Sequence, residues 1–235
     1  MDSSEQNRLD AIGQRSIYSA GVMSIAIRHC AEVFGRHLAP GSILELGPAE
    51  GLMTDELVRF DRDLTVVEGV ADFCSEIRTR HPGIKVVNSL FETYEPAETF
   101  GNIVLGHVLE HVENPVGLLK YVKNWLRPGG RILAAVPNSQ SLHRQAGVLM
   151  GLLAREDDLN ERDIANGHRR VYNPERLRAD FESAGCRIES FGGYWMKPLT
   201  NTQLEANWEE SMLKAFMCLG ERYPELAGEI YIVAS

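Results

Sequence analysis

Short apolar runs alternate with helical patterns between residues 42 and 137, and this alternation limits the fold more than any other feature of the chain. The apolar runs expected to form strands lie at 43–46, 64–68, 85–87, 103–105 and 131–136. Strands joined by helical crossovers pair in parallel, and runs that are apolar on both faces are typical of a sheet covered by helices on both sides. With a closing pair of strands at 186–194 and 229–234, the sequence predicts a doubly wound α/β fold with a mostly parallel, seven-stranded sheet.

Two regions lie outside this alternation. Residues 1–40 carry apolar side chains at helical spacing and end at Pro40-Gly41, which predicts an N-terminal helical lid in front of a main domain of residues 41–235. After the fifth strand, residues 141–172 predict an inserted helical cap, with a helix from Leu142 to Ala154 and a charged stretch interpreted as a solvated face. Further helices are expected at 174–184 and 205–219.

Charge and composition exclude several classes of protein. The chain of 235 residues has a net charge of −9, which disfavours nucleic acid and anionic membrane surfaces as partners. Its N-terminus has no apolar signal core, no stretch is apolar enough to span a bilayer, and the four cysteines form no CxxC pair. We therefore expect a cytoplasmic protein, with monomer and homodimer both left open.

The turn after the first strand and the acid that ends the second predict a nucleoside site. Gly47 and Gly51 follow the strand that contains Glu45, and glycine there allows a sharp turn and a close approach to a ligand. Glu68 is placed to accept hydrogen bonds from ribose hydroxyls. These features fit any adenosine-containing cofactor, NAD included.

Two later motifs discriminate between the cofactors. They are Val108-Leu109-Glu110-His111-Val112 after the fourth strand and Leu126-Arg127-Pro128-Gly129-Gly130 before the fifth. With the turn and Glu68, they resemble the class I S-adenosylmethionine-dependent methyltransferases over roughly residues 40–137. The resemblance implies a Rossmann-like fold and transfer of a methyl group from S-adenosylmethionine.

The sequence departs from the family pattern at two places. Ala49 stands where glycine is usual, and close approach of the cofactor then requires a negative φ at that residue. Gly101-Asn102 stands where Phe-Asp is commoner, a position that is mainly structural in the family.

The resemblance also implies the residues that touch the cofactor. They are Tyr18, Glu45, Gly47, Pro48, Ala49, Gly51, Glu68, Ser89, Leu90, Phe91, Gly106 and His107. Leu90 and Phe91 would sandwich the adenine, although either suits the core equally. Tyr18 resembles a lid tyrosine of some members.

A histidine is the natural base for an acceptor that must lose a proton. His107 is expected to project from the fourth strand toward the methyl group, with His168 of the cap as the second candidate, whereas His111 is expected to be structural. The residues expected to bind the acceptor are His143, Arg169, Arg170, Tyr172 and Trp195. The two arginines are suited to bind an anionic acceptor, or they pair with the acidic residues of 156–163. Trp195 is expected either in the wall of the substrate site, with Lys197, Asn201 and Gln203, or in the core.

The sequence thus predicts methylation of an O or N atom of a small molecule, in natural-product or sugar metabolism. The alternatives are a tRNA or protein methyltransferase, an NAD(P)-dependent oxidoreductase and a non-catalytic scaffold. An oxidoreductase would carry a full GxGxxG motif, which this sequence lacks. We expect no metal, because Glu110 and His111 are expected to face away from the cofactor.

Overall fold

The computed structural model describes residue 8, residues 21–60 and residues 63–235. The predicted cofactor contact of Tyr18 lies outside the described residues. The strands are β1 (Ile43–Leu46), β2 (Leu64–Glu68), β3 (Lys85–Asn88), β4 (Phe100–Gly106), β5 (Leu126–Pro137), β6 (Ile188–Tyr194) and β7 (Glu229–Ala234). The helices are α1 (Gly21–Gly35), α2 (Leu52–Leu57), α3 (Ala71–Arg80), α4 (Pro115–Lys123), α5 (Leu142–Leu149), α6 (Glu161–Ala165), α7 (Pro174–Ser183), α8 (Asn201–Asn207) and α9 (Glu210–Gly220).

The described strands form one seven-stranded sheet in the order β3-β2-β1-β4-β5-β7-β6. Neighbours from β3 to β5 pair in parallel, whereas β7 runs antiparallel to both β5 and β6. The order reverses at β1, so the carboxyl ends of β1 and β4 border the crevice where doubly wound sheets bind ligands. The predicted α/β fold is confirmed.

Helices cover both faces of the sheet. On one face Leu119 of α4 and Phe181 of α7 are fully buried. On the other face Phe34 of α1, Leu57 of α2 and Met217 of α9 are each no more than 1% exposed. The two cores share the sheet between them, which explains why β1 and β2 are buried at every position.

Helix α1 packs onto the sheet as part of the second core. Its buried residues include Val22, Ala26, Cys30 and Phe34. The role of residues 1–40 as a lid stays a prediction.

Several element boundaries differ from the sequence-based prediction, most of all at the fifth strand and at the helix expected at 205–219. The LRPGG segment belongs to β5, which begins at Leu126 rather than Arg131, with an irregular register opposite Phe100 and Asn102. The helix expected at 205–219 is two helices, because Trp208 and Glu209 have extended backbone between them. Thr200 and Gln203 form a capping box that starts α8.

The cap is shorter in helix and more buried than predicted. Helix α5 ends at Leu149 instead of Ala154. Arg144, which is 5% exposed, donates from Nε to the Glu156 carbonyl over 2.6 Å and from Nη1 to Asp163 Oδ2 over 3.1 Å. The charged stretch is therefore partly buried and packs against Arg144 within the cap, and it is not simply a solvated face.

No helix within the described residues is long and apolar enough to cross a bilayer.

Candidate active site

The turn after β1 has the backbone geometry of a ligand cradle. Gly47 and Gly51 have positive φ angles of +67° and +79°. A Cβ on Gly47 would lie 3.1 Å from Phe91 Cζ and 3.2 Å from Val108 Cγ2, so a side chain there would be crowded as well as strained by the positive φ. Ala49 has a φ of +49°, and the negative φ that the sequence analysis required is therefore not found. Its left-handed backbone directs its N–H to Glu68 Oε2, 3.2 Å away.

Glu45 places a buried carboxylate under this turn. Thr54 Oγ1 donates to its Oε2 over 2.7 Å, whereas Oε1 has no hydrogen-bond partner among the described residues. Burial raises the pKa of Glu45 to about 8. A buried acceptor without a donor fits a ligand that brings a positively charged donor of its own.

Glu68 ends β2 beside the same turn. Its Oε1 accepts the Val70 N–H over 2.8 Å and its Oε2 accepts that of Ala49, while burial raises its pKa. A carboxylate has about four lone-pair sites, so acceptor capacity remains for a hydroxyl donor beside the backbone N–H groups of Ala49, Val70 and Gly69. Its contact with a ribose stays a prediction.

The segment after β3 lies against β2 and the turn. The Ser89 N–H donates to the Glu68 carbonyl over 3.0 Å, and Leu90 and Phe91 are both half-buried. Phe91 also packs against the first core, so it joins the turn to the sheet. Its contact with adenine, like that of Leu90, stays a prediction.

A narrow cleft runs between the turn and the end of β4, and we name it the cofactor cleft after the prediction that it tests. Of the predicted cofactor residues, Glu45, Gly47, Pro48, Ala49, Gly106 and His107 line it. Gly51, Glu68, Ser89, Leu90 and Phe91 lie around the cleft without lining it. Ile27 of α1 and Met53 of α2 close its other side.

His107 follows the last residue of β4 and has a positive φ of +59°. Its N–H donates to the Ala135 carbonyl over 2.9 Å, which holds this strained backbone against β5. The ring lies between Tyr194 Oη, 3.2 Å from Nε2, and Glu110 Oε1, 3.4 Å from Nδ1. Burial lowers the pKa of His107, but Glu110 and Glu229 outweigh burial, so the pKa lies above its usual value.

His107 also lines a second, polar cavity of about 150 Å³, so this residue is common to the cavity and the cofactor cleft. The titratable groups that face this polar cavity are His107, Glu110, His143, Arg144, Arg162, Asp163, His168, Lys197 and Glu229. They come from the loop after β4, the cap, the loop after β6 and the start of β7. The fold therefore gathers at one place charges that lie far apart in the sequence.

Burial and mutual contact set the charge of these groups. Burial raises the pKa of Glu110, but the imidazole of His107, 3.4 Å away, and the charges of His111 and His168 outweigh burial, so the pKa is lowered. Burial raises the pKa of Glu229 and lowers that of Lys197 to about 8. The cavity thus places the buried Glu110 carboxylate 3.4 Å from the His107 imidazole, a pair suited to moving a proton.

The two other predicted histidines also reach the polar cavity. His143 Nδ1 lies 3.1 Å from Ser141 Oγ, and burial lowers the pKa of His143 to about 2. His168 Nδ1 lies 3.3 Å from Asp163 Oδ1. The structure thus brings His107, His143 and His168 together, although their roles stay predictions.

The predicted anion-binding arginines hold the loop after β4. The Arg169 N–H donates to the Glu110 carbonyl over 2.8 Å, and its Nε donates to the His111 carbonyl over 2.8 Å. Arg170 donates to the carbonyls of Leu109, Val112 and Glu113. These backbone carbonyls, rather than the acidic residues of 156–163, accept the hydrogen bonds described for the two arginines. Binding of an anionic acceptor by either side chain stays a prediction.

Tyr172 and Trp195 are fully buried and do not line the polar cavity. Tyr172 Oη donates to Asp180 Oδ2 over 2.9 Å, and the Trp195 ring lies under Lys197 Nζ at 4.4 Å. Their burial favours the interpretation of both as core residues.

Sequence reasoning missed two carboxylates of the polar cavity. Glu110 was expected to face away from the cofactor, yet it is fully buried and faces the polar cavity. Glu229 begins the apolar strand β7, and a single acid at the start of such a strand was the only signal. Lys197 and Asn201, expected in a substrate wall, do line the cavity.

The sequence matches the methyltransferase domain family over residues 23–190. It is 26% identical to a mitochondrial ubiquinone biosynthesis O-methyltransferase of Rattus norvegicus over 184 residues, 68% of this chain and 51% of that protein. It is 21% identical to a ubiquinone biosynthesis O-methyltransferase of Xanthomonas euvesicatoria, covering 70% of each chain. The chain spans about half the length of the rat and mouse relatives.

Solved structures share the fold. A methyltransferase of Thermotoga maritima, described as a possible histamine N-methyltransferase, superposes with a TM-score of 0.63 at 17% identity over 100% of this chain and 95% of that one. The glycopeptide N-methyltransferase MtfA in complex with S-adenosylmethionine gives a TM-score of 0.59 at 14% identity over 88% and 86% of the two chains. With the family match over most of its length, this chain belongs to the methyltransferase domain family and has the fold of S-adenosylmethionine-dependent methyltransferases, which confirms the predicted family and fold.

Proposed function

We propose that this enzyme transfers a methyl group from S-adenosylmethionine to an oxygen atom of a small molecule held in the polar cavity. The observation that carries the proposal is the position of His107, which lines the cofactor cleft and the polar cavity at once. A group transferred between two ligands has to pass at such a junction.

S-adenosylmethionine is the methyl donor, and its sulfonium supplies an already activated methyl group. Glu45 Oε1 suits the ammonium of the donor's amino acid part, because it is a buried acceptor without a partner among the described residues. Gly47 and Ala49 line the cleft in which the amino acid part and the sugar would lie, and Glu68 retains acceptor capacity for a ribose hydroxyl. Gly106 and His107 lie beside the reacting carbon.

The polar cavity indicates the size and character of the acceptor. A cavity of about 150 Å³ holds a molecule of roughly the size of benzene. Its lining of carboxylates, imidazoles and Lys197 suits a hydroxylated compound. Lys197 is also the candidate cation for an acceptor that carries a negative group.

The relatives named as O-methyltransferases favour oxygen over nitrogen as the acceptor atom. The proposed setting in natural-product or sugar metabolism rests on the small cavity and stays a prediction. A tRNA or protein substrate fits less well, because the chain has a net charge of −9 and the polar cavity is small.

The enzyme's own groups orient the acceptor and accept its proton. His107 takes the hydroxyl proton, while Glu110 beside Nδ1 stabilises the resulting imidazolium. The acceptor oxygen forms a bond to the methyl carbon as the S–CH₃ bond breaks, and that electron pair stays on sulfur, which leaves S-adenosylhomocysteine. Proximity and orientation in a closed site supply up to about 7–11 kcal/mol of the barrier reduction.

Isothermal titration with S-adenosylhomocysteine and, separately, with NADH tests the cofactor. We expect saturable binding of the former alone. Binding of NADH alone, or of neither, would overturn the proposal. A panel of small phenols and hydroxy acids, followed by release of S-adenosylhomocysteine, then tests the acceptor class, and turnover confined to amines would exclude an oxygen acceptor.

A further inference from the structure

We propose that Glu110, His111 and His168 bind a divalent transition-metal ion at the edge of the polar cavity. One ligand atom from each of these three residues lies within 4.8 Å of the other two. Binding of the ion is argued from these residues alone, whereas its part in catalysis rests on the proposed function.

The carboxylate of Glu110 is the strongest single sign of a missing partner. The residue is 0% exposed, and neither side-chain oxygen has a hydrogen-bond partner among the described residues. The nearest positive groups are His107 Nδ1 at 3.4 Å and His111 Nε2 at 4.0 Å. A buried carboxylate without hydrogen bonds is unfavourable, and a bound cation would remove this cost.

The two histidines meet the carboxylate from different elements. Their rings lie edge to face, with centroids 4.9 Å apart. Ligands held at about 2.0–2.1 Å in a tetrahedron lie roughly 3.3 Å from one another. The observed spacing needs only small side-chain rotations to reach that geometry.

The surroundings hold the ligands as metal sites require. A ligand histidine generally gives its second nitrogen to a carboxylate or carbonyl. Asp163 Oδ1 lies 3.3 Å from His168 Nδ1, which assigns Nε2 of His168 to the ion, and Arg144 fixes Asp163 from its other side. The neighbour of His168, Arg169, hydrogen-bonds the carbonyls of Glu110 and His111, so the backbone already ties the three ligands together.

The ligand set selects the kind of ion. Two imidazoles and one carboxylate suit Zn²⁺, Fe²⁺ or Co²⁺ and are unlike the all-oxygen sites of Mg²⁺ and Ca²⁺. Three protein ligands also leave a position open. Because Glu110 and His168 line the polar cavity, that position faces the acceptor, and a hydroxyl bound there would lose its proton to His107 more readily.

The sequence predicts that no metal binds, because Glu110 is expected to face away from the cofactor. In the structure Glu110 faces the polar cavity, so that reason does not hold. A second group in the described residues, His29, Cys218 and Glu221, has comparable spacing. There, however, Glu221 is already bound by His29 Nε2 and Arg36 Nη1, both at 2.9 Å. This group provides the matched control.

The test is a titration of the chelator-treated full chain with Co²⁺, followed by visible absorption, with bound Zn²⁺ measured after dialysis. We expect one ion per chain, no competition from excess Mg²⁺, and an affinity at least about tenfold weaker in His111→Ala and His168→Ala. Cys218→Ser should bind as the wild type does. Thermal unfolding checks the fold of each variant, and Glu110→Gln, which keeps the side-chain size, replaces a variant that does not fold.

No uptake by the wild type, unchanged uptake in both histidine variants, or loss of uptake in Cys218→Ser would overturn the site. Titration of the same metal-free samples with S-adenosylhomocysteine separates the two proposals. Binding of that nucleoside without uptake of Co²⁺ overturns the metal site alone. Uptake of Co²⁺ without nucleoside binding overturns the proposed function alone.

Discussion

The cofactor cleft and the polar cavity meet at His107 but are built in different ways. The cleft is made mostly by one continuous stretch, from Glu45 to Met53, whose backbone is held in positive φ at three residues. The polar cavity is made by side chains from separate segments, of which several are buried and charged. One site depends on the path of the chain, and the other depends on which side chains the fold brings together.

This difference predicts different responses to substitution. The cleft should be sensitive to any added side chain on its glycines, whereas the polar cavity should be sensitive to the loss of one charged partner. Since His107 belongs to both, its variants distinguish binding from chemistry.

The largest expected effect is that of His107→Ala. Removal of a general base lowers turnover by about 10²–10⁴-fold. Affinity for S-adenosylhomocysteine should stay nearly unchanged, because the turn after β1 keeps its contacts. The measurements are turnover with an acceptor found in the panel and isothermal titration with the nucleoside.

The control for this variant is His37→Ala, since the His37 ring packs against Tyr231 and lines neither cavity. If His107→Ala turned over at the wild-type rate, His107 would not be the base. The base would then be His168, or the enzyme would act only by positioning the acceptor.

A side chain on Gly47 should abolish the cleft without touching the polar cavity. Val at this position must adopt a φ of +67° and would approach Phe91 and Val108 too closely. We expect Gly47→Val to weaken binding of S-adenosylhomocysteine by roughly 100-fold, about 2.7 kcal/mol. Gly83→Val is the matched control, because nothing lies within 4 Å of its added Cβ. Equal affinities in the two variants would remove the turn from the binding site.

The same contrast explains what the sequence could predict. The alternation of strands and helices is local, and so is the turn with Gly47 and Gly51, so both were visible in short stretches. Glu229 and Glu110 meet at the polar cavity only because β7 pairs beside β5, and strand order is not encoded in any local pattern. The backbone partners of Arg170 were hidden for the same reason, since charge alone suggested an acidic partner.

The pH dependence of stability should report the buried carboxylate of the cleft. The pKa of Glu45 is raised from 4.5 to about 8, so the folded chain keeps a proton that the unfolded chain releases. The contribution of Glu45 to the free energy of unfolding is fully present below pH 4.5 and is lost as the pH rises to about 8. The free energy of unfolding falls in this range by up to about 1.4 kcal/mol per pH unit. Glu45→Gln, which cannot titrate, should lose less stability than the wild type between these pH values in urea unfolding. Parallel curves for the two proteins would show that Glu45 is ionised in the folded state.

A smaller effect is expected where the loop after β4 is fastened. Arg170→Gln removes hydrogen bonds from a charged donor to the carbonyls of Leu109 and Glu113. The free energy of unfolding should fall by about 1–3 kcal/mol, measured in urea against the exposed control Arg28→Gln. An unchanged stability together with a raised KM only for anionic acceptors would favour the anion-binding role instead.

A crystal structure with S-adenosylhomocysteine tests the central claim most directly. We expect the nucleoside in the turn of Gly47–Gly51, with its sulfur beside His107 and facing the polar cavity of Glu110 and Glu229. A nucleoside bound elsewhere, or a sulfur atom directed away from that cavity, would contradict it.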